Sequence, residues 1–156
     1  AIAAAEEVVA NARRLIAAAR ILGVPVVYTE QNPKGLGGTV PDLAAQSGER
    51  VLSKMTFDAW RSPDVRGAVA GERDLVVIGC EAHVCVLQTV LGALAHGRKV
   101  KVVRDAIGSR RETSRIAAID RMGRHGADLV TTEMVVFEWL GSAENPAFKE
   151  AIALIK

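Results

Sequence analysis

The side chain most suited to carry out a chemical reaction is that of Cys85. It follows an apolar run of strand length, residues 75–78, and a turn that begins at Gly79; from Val84 onward, apolar residues recur every three or four positions, as on a helix. This pattern predicts a thiol on the first turn of a helix. The unpaired N–H groups and the helix dipole there favour a thiolate and can hold an oxyanion on an attacked carbonyl. Cys85 is therefore a candidate nucleophile; the alternative is a small core residue, since free cysteines are often buried.

Other side chains could complete a site around Cys85, but each has a structural alternative. His83 precedes the cysteine by two positions, so on a regular helix the two side chains diverge, and His83 is a candidate for the substrate pocket rather than for a Cys–His dyad. Lys54 lies in a turn, where a lone lysine is most often solvated. Phe57 and Trp60 follow it and could form the wall of a small apolar pocket, or belong to the core.

Three other features carry weak or negative implications for function. Cys80 lies five positions before Cys85, which is not the spacing of a Cys-x-x-Cys motif, so a structural role is favoured over a redox pair. Arg110 could attract an anionic substrate, although a surface pair with Arg111 is the default interpretation. The glycine cluster in residues 35–38 is not a Gly-x-Gly-x-x-Gly fingerprint, so no dinucleotide cofactor is expected and a mobile loop over the pocket is the better interpretation.

Short apolar runs and amphipathic stretches alternate along the chain. Residues 2–22 carry one apolar stripe and predict a helix, and the β-branched run 24–29 predicts a strand covered on both faces. Further strands are predicted at 50–53, 74–78, 99–104 and 127–131, a Gly- and Pro-rich loop at 30–41, and further helices at 64–70, from 84 onward, and at 112–125, 132–140 and 146–155. Five strands that alternate with helices indicate a single α/β domain over residues 1–156, with a parallel sheet covered on both faces.

The composition argues against several classes of function. The 20 Lys and Arg residues against 18 Asp and Glu give a net charge of +2, the charges are scattered, and aromatic residues make up only 4%, so nucleic-acid binding is not indicated. No apolar stretch approaches the roughly 18 residues that a membrane span needs. Two cysteines, and an opening without the order of a secretion signal, favour the reducing cytoplasm. A small-molecule substrate is the expected partner.

Several motifs resemble those of the isochorismatase-like cysteine hydrolases, and in particular the isochorismatase-domain-containing proteins. They are VPVVYTEQ, EQNPKGLGGTVPDL, VLSKMTFDAW, GCEAHVCVLQT, VVRDAIGSRR, TTEMVVFEWLG and NPAFKEAIALIK. The resemblance implies a three-layer α/β/α sandwich with a six-stranded, mainly parallel sheet, and an Asp, Lys and Cys triad that hydrolyses small amides or related C–N substrates through a thioester acyl-enzyme.

The resemblance also assigns roles to particular residues of this chain. Cys85 matches the nucleophile and Lys54 the triad lysine. A cis peptide is expected between Cys80 and Glu81, and the N–H groups of Glu81 and Cys85 would form the oxyanion hole. Nicotinamidases of the family carry Asp and His metal ligands, whereas the loop EQNPKGLGG contains no His, so no metal is expected.

The family aspartate has no counterpart in this sequence. In the family it lies at the end of a first strand upstream of the first helix, whereas the earliest aspartate here is Asp42, in a loop. The opening helix also lacks a polar N-cap and a strand that leads into it. We therefore expect the first strand to be absent from this sequence and the chain alone to lack full hydrolase activity. The alternative is a non-catalytic or thiol-redox-responsive binding member of the same fold.

A homo-oligomer is expected, because such folds usually pair through apolar surface. Four apolar residues of the predicted helix 132–140 are candidates either for that contact or for an intramolecular one: Val135, Val136, Trp139 and Leu140.

Overall fold

Strands and helices alternate through most of the chain in the computed structural model, which describes residues 1–156. The elements are α1 (Ala5–Ile21), β1 (Val27–Gln31), α2 (Pro33–Leu36), β2 (Arg50–Lys54), α3 (Pro63–Ala68), β3 (Leu75–Cys80), α4 (Leu87–Ala95), β4 (Val100–Gly108), α5 (Glu112–Arg124), β5 (Asp128–Val130), α6 (Thr132–Leu140) and α7 (Phe148–Ile152). The predicted α/β class is confirmed. The region 30–41, predicted as loop, contains the short helix α2, which begins with a proline, a residue favoured at the first helical position.

The strands form two parallel sheets rather than the single sheet expected from the sequence. β1 pairs with β2, and β4 lies between β3 and β5. No backbone hydrogen bond joins the two sheets, so β1 and β3 each keep one edge without a partner strand. Apolar runs predict where strands occur, but the choice of neighbouring strand depends on long-range contacts that such runs do not specify. This explains why the division was not predicted.

Apolar clusters cover both faces of the three-stranded sheet. Neighbouring residues of a strand point to opposite faces, and accordingly Val102 lies in one cluster and Val103 in the other, both fully buried. The first cluster includes residues of α4 and α5, and the second residues of α1, α6 and α7. Burying a large aliphatic side chain stabilises a fold by about 1.5–3 kcal/mol, so this sheet is held mainly by apolar packing. The result is a helix, sheet, helix arrangement.

Helix α6 packs inside the molecule. Val135, Val136 and Leu140 belong to the second apolar cluster, and Trp139 packs against it. Of the two alternatives for these residues, the structure therefore favours the intramolecular contact. The exposed apolar side chains of α6 are Met134 and Phe137 instead.

Polar contacts attach the two-stranded sheet to α1. The guanidinium of Arg20 donates to both carboxylate oxygens of Glu49, at 2.9 and 2.8 Å, and to the hydroxyl of Tyr28 in β1 at 3.2 Å. The ion pair lowers the pKa of Glu49 to about 2. Neither apolar cluster contains a residue of β1 or β2. None of the helices combines the length and apolarity of a membrane span.

Candidate active site

The turn after β3 carries the predicted nucleophile. Gly79 has a φ of 114°, a conformation that side-chain-bearing residues rarely adopt, and the peptide between Cys80 and Glu81 is cis, at the position expected from the family resemblance. Cys85 lies in a π-helical turn, Ala82–Val86, in which the Val86 N–H donates to the Glu81 carbonyl at 3.2 Å. The prediction of the first turn of an α-helix was therefore wrong in detail, because α4 begins only at Leu87. Such π turns occur frequently at functional sites.

Cys85 is half-buried and has one side-chain partner. Its Sγ atom lies 3.9 Å from the Oε1 atom of Gln31, which can accept a weak hydrogen bond from the thiol. No carboxylate is among the hydrogen-bond partners of this thiol. A base that could take the thiol proton directly is thus not supplied by a neighbouring Asp or Glu side chain.

Lys54, at the end of β2, is buried rather than solvated. Only 7% of its surface is exposed, and its Nζ atom donates to Gln31 Oε1 at 2.8 Å and to the carbonyl oxygens of Thr56 at 3.1 Å and Phe57 at 3.2 Å. All three acceptors are neutral, and Lys54 takes part in no ion pair. Because a buried charge is costly without a partner of opposite sign, this ammonium favours an anion nearby.

Gln31, which was not predicted from the sequence, joins these two residues. It ends β1 directly opposite Lys54 in the strand register, and one oxygen of its side chain contacts both Lys54 and Cys85. Its Nε2 atom donates to the carbonyl of Met55 at 2.8 Å, which orients the amide oxygen toward the site. The signal that could have identified it is its position at the carboxyl end of a parallel strand, where ligands gather.

A second group of side chains holds the cysteine turn from the side of β4. The Glu81 carboxylate accepts hydrogen bonds from the Arg110 backbone N–H at 2.9 Å and from its guanidinium at 2.8 and 3.1 Å. Hydrogen bonding from Arg110 lowers the pKa of the Glu81 carboxyl. The Nδ1 atom of His83 lies 2.9 Å from the Oγ atom of the fully buried Ser109. His83 is thereby tied to the loop after β4.

The two predicted aromatic wall residues have different environments. Trp60 is 6% exposed and belongs to the first apolar cluster, with the Arg98 guanidinium carbon 5.5 Å from its ring centroid and the His96 ring 5.9 Å away at a tilt of 51°. This favours the core role over the pocket role for Trp60. Phe57 is 51% exposed, and its carbonyl contacts Lys54, so it stays a candidate for the rim of a pocket.

Cys80 differs from Cys85 in its surroundings. It ends β3 and retains exposed surface, but desolvation of its sulfur raises the pKa of its thiol. A raised pKa means less thiolate at neutral pH, which agrees with a structural role. The chain contains no cluster of three or more His, Cys, Asp or Glu side chains arranged to hold a metal ion.

These features define a class of protein: a parallel α/β fold in which a cysteine on the turn after one strand lies close to a buried lysine at the end of another. Within this class, the chain belongs to the isochorismatase family, because the model of the isochorismatase domain matches residues 1–134.

Sequence and structural relatives agree with this assignment. Isochorismatase domain-containing protein 1 of Salmo salar is 39% identical over 153 residues, which cover 96% of this chain and 54% of that protein. The chain thus spans about half the length of this curated relative. The MAR1 ribonuclease of Caenorhabditis elegans superposes with a TM-score of 0.93 at 40% identity, over 99% of this chain and 81% of that one. The YcaC gene product of Escherichia coli, an octameric hydrolase of unknown specificity, gives a TM-score of 0.86 at 30% identity, over 97% of this chain and 74% of that one.

Proposed function

We propose that Cys85 is the nucleophile of a hydrolase that cleaves a small amide or related C–N compound through a thioester acyl-enzyme. The observation that carries the proposal is the shared contact of Lys54 and Cys85 with one oxygen of Gln31. A buried ammonium without a carboxylate partner favours the thiolate over the thiol, and the thiolate is the reactive form of cysteine. Membership of the isochorismatase family, and the likeness to an octameric hydrolase, support the hydrolytic class.

The proposed reaction has two covalent steps. The Cys85 thiolate attacks the substrate carbonyl carbon, a C–S bond forms, and the carbonyl electron pair moves to oxygen, where the N–H groups of Glu81 and Cys85 hold it. The tetrahedral intermediate collapses, the C–N bond breaks, and the amine leaves with a proton. Water then attacks the thioester and releases the acid and the thiol. The Glu81 N–H donates no hydrogen bond within the chain, which supports its part in this scheme.

The thiol proton requires an acceptor, which the resemblance assigns to an aspartate on a further strand. We place that strand between β1 and β3, because each of these strands has an unpaired edge and the two edges flank the site. A parallel strand in this position would end beside Gln31 and Cys85, since the carboxyl ends of parallel strands meet at one edge of a sheet. Hydrolytic turnover by this chain alone should therefore be slow.

The second candidate is a non-catalytic or redox-responsive binding role. It is favoured by the neutral environment of Cys85, whose side-chain partner is an amide rather than a carboxylate. In such a protein the thiol would be oxidised or alkylated without acyl transfer.

We also propose a small-molecule substrate and a homo-oligomeric assembly. The octameric state of the E. coli relative supports the assembly. Exposed apolar side chains in the segments that follow β1 and β2 could contribute to its contacts: Leu36, Val40, Met55 and Phe57.

The test is acylation by an activated ester such as p-nitrophenyl acetate, measured by p-nitrophenolate release and by the mass of the acetylated protein. The wild type should gain one acetyl group, Cys85→Ala should gain none, and Cys80→Ala should behave like the wild type. Equal acylation of the wild type and Cys85→Ala would exclude the covalent proposal. Alkylation of Cys85 without any acylation would favour the binding or redox role.

A further inference from the structure

The contact between Arg110 and Glu81 is more elaborate than the proposed chemistry requires. Arg110 donates to the Glu81 carboxylate from its backbone N–H and from two nitrogens of its side chain. Nη2 donates to Oε1 at 2.8 Å and Nε to Oε2 at 3.1 Å, which is the forked geometry of strong Arg–carboxylate pairs. The guanidinium side chain is 64% exposed, and exposed pairs add little to stability. A role other than stabilising the fold should therefore explain this arrangement.

Glu81 is the residue on which the geometry of the cysteine turn depends. Its carbonyl accepts the N–H groups of Val84 at 3.1 Å and Val86 at 3.2 Å, which closes the turn around Cys85. Its own N–H is one of the two that we assign to the oxyanion hole, together with that of Cys85. A side chain held at both carboxylate oxygens limits rotation of the residue that carries this N–H, and therefore fixes the direction in which the N–H points.

The loop that carries Arg110 is itself well anchored. Ser109 is fully buried, its Oγ atom contacts His83, and its carbonyl accepts the Ala3 N–H at 2.9 Å. Gly108 is paired with Cys80 in the register of β3 and β4. The backbone of Arg110 is thus held in place, so its side chain can restrain the position of the turn that follows the neighbouring strand, β3.

Charge gives Arg110 a second effect at the same place. A free carboxylate on Glu81 would repel negative charge that develops on a substrate oxygen at the neighbouring N–H. The guanidinium offsets this charge, and its hydrogen bonds lower the pKa of the Glu81 carboxyl.

We infer that Arg110 is a positioning residue, which acts through Glu81 to aim and electrostatically shield the N–H that holds the oxyanion. This inference rests on the proposed acyl-transfer function. It assigns Arg110 to the acylation step and not to ionisation of the Cys85 thiol, which depends on Lys54 and Gln31 on the other side.

Two reactions of the same thiol separate these roles. Acylation by p-nitrophenyl acetate forms an oxyanion, whereas alkylation by iodoacetamide displaces iodide from a saturated carbon and forms none. Both are measured in a Cys80→Ala background, in which Cys85 is the sole cysteine, since the chain has two. Arg110→Met should slow acylation about tenfold or more and leave the alkylation rate within about twofold, since oxyanion donors matter only to the first reaction.

Two further variants serve as control and rescue. Arg111→Met removes the charge of the neighbouring exposed arginine, whose backbone carbonyl accepts hydrogen bonds from α5 but whose side chain makes none, and should leave both rates unchanged. Adding Glu81→Gln to Arg110→Met should restore part of the acylation rate, because the uncompensated carboxylate is removed.

Each outcome decides the inference. Unchanged acylation in Arg110→Met, or an equal fall in acylation and alkylation, would overturn it while the proposed function stands. Absence of Cys85-dependent acylation in the wild-type protein would overturn both. A selective loss of acylation in Arg110→Met, without loss in Arg111→Met, is the expected result.

Discussion

The two sheets of this protein are held in place by different forces. The three-stranded sheet lies between two apolar clusters, and its central strand β4 contributes several fully buried side chains. The two-stranded sheet contributes to neither cluster and is attached through the Arg20, Glu49 and Tyr28 contacts. Apolar packing is insensitive to pH, whereas the Arg20–Glu49 contact of the smaller sheet requires the ionised carboxylate of Glu49.

This difference bears directly on the candidate site. Cys85 lies on the turn that follows β3 of the three-stranded sheet, which we call the apolar half. Lys54 and Gln31 end the two strands of the smaller sheet, which is held by polar contacts. The amide oxygen of Gln31 contacts both Lys54 and Cys85 and thereby connects them. Most of the stability should therefore come from the three-stranded sheet, whereas thiol reactivity also depends on the attachment of the two-stranded sheet, so a substitution in the apolar clusters should lower stability without slowing the thiol.

The largest expected effect on stability comes from the apolar half. Val102 in β4 is fully buried, and Val102→Ala should lower the free energy of unfolding by about 2–3 kcal/mol, the sum of lost burial and a residual cavity. The matched truncation Val51→Ala removes the same atoms from β2, where the valine is 45% exposed, and should cost less than about 1 kcal/mol. Urea unfolding measures both. Equal losses would contradict the proposed difference between the sheets.

A smaller loss is expected from the ion pair that attaches the two-stranded sheet. Glu49→Gln should lower the free energy of unfolding by about 1–2 kcal/mol, because the pair is partly solvated but forked. Unlike Val102→Ala, it should also slow alkylation of Cys85, since Lys54 and Gln31 would lose their fixed position. Glu144→Gln, at an exposed carboxylate without a partner, is the control and should change neither property.

The same ion pair predicts a pH dependence. The folded-state pKa of Glu49 is about 2, below its ordinary value of 4.5, so its contribution is fully present above about pH 4.5 and is lost as the pH falls toward 2. The stability difference between the wild type and Glu49→Gln should therefore shrink between pH 5 and pH 2. A difference that stays constant over this range would show that the ionised carboxylate is not responsible.

The smallest effect is expected at Gln31. Gln31→Met keeps the length of the side chain but removes one of the three acceptors that fix the Lys54 ammonium, and should slow alkylation of Cys85 at pH 7 by about two- to fivefold. The hydrogen bond that the thiol donates to the same oxygen favours the neutral thiol, so its loss acts in the opposite direction and keeps the effect small. Lys54 keeps its contacts with two carbonyl oxygens, which limits the loss. Gln46→Met, in the loop before β2, is a control that should leave the rate unchanged. A loss as large as that of removing Lys54 itself would contradict a secondary role for Gln31.

Local patterns in the sequence were sufficient to predict much of this structure. Apolar periodicity identified all five strands and located the turn after β3 that carries Cys85, because a strand, a glycine and a helical stripe are each encoded within a few residues. Lys54 and the cis peptide after Cys80 came from the family resemblance instead. A lone lysine in a turn carries no local signal of burial.

The parts that were not predicted all depend on contacts between distant segments. The division into two sheets, the amide of Gln31 between Lys54 and Cys85, and the pairing of Arg110 with Glu81 join residues that lie far apart in the chain. Trp60 illustrates the same limit, because an aromatic residue beside a turn fits a pocket wall or a core equally well until its neighbours are known.

The central claim is that the buried charge of Lys54 activates Cys85. Its most direct test is the rate of Cys85 alkylation by iodoacetamide as a function of pH, in a Cys80→Ala background, for Lys54 and for Lys54→Met, which keeps the length of the side chain without its charge. The account predicts that Lys54→Met reacts about 10- to 100-fold more slowly at pH 7 than the parent. Identical pH profiles for the two proteins would contradict it.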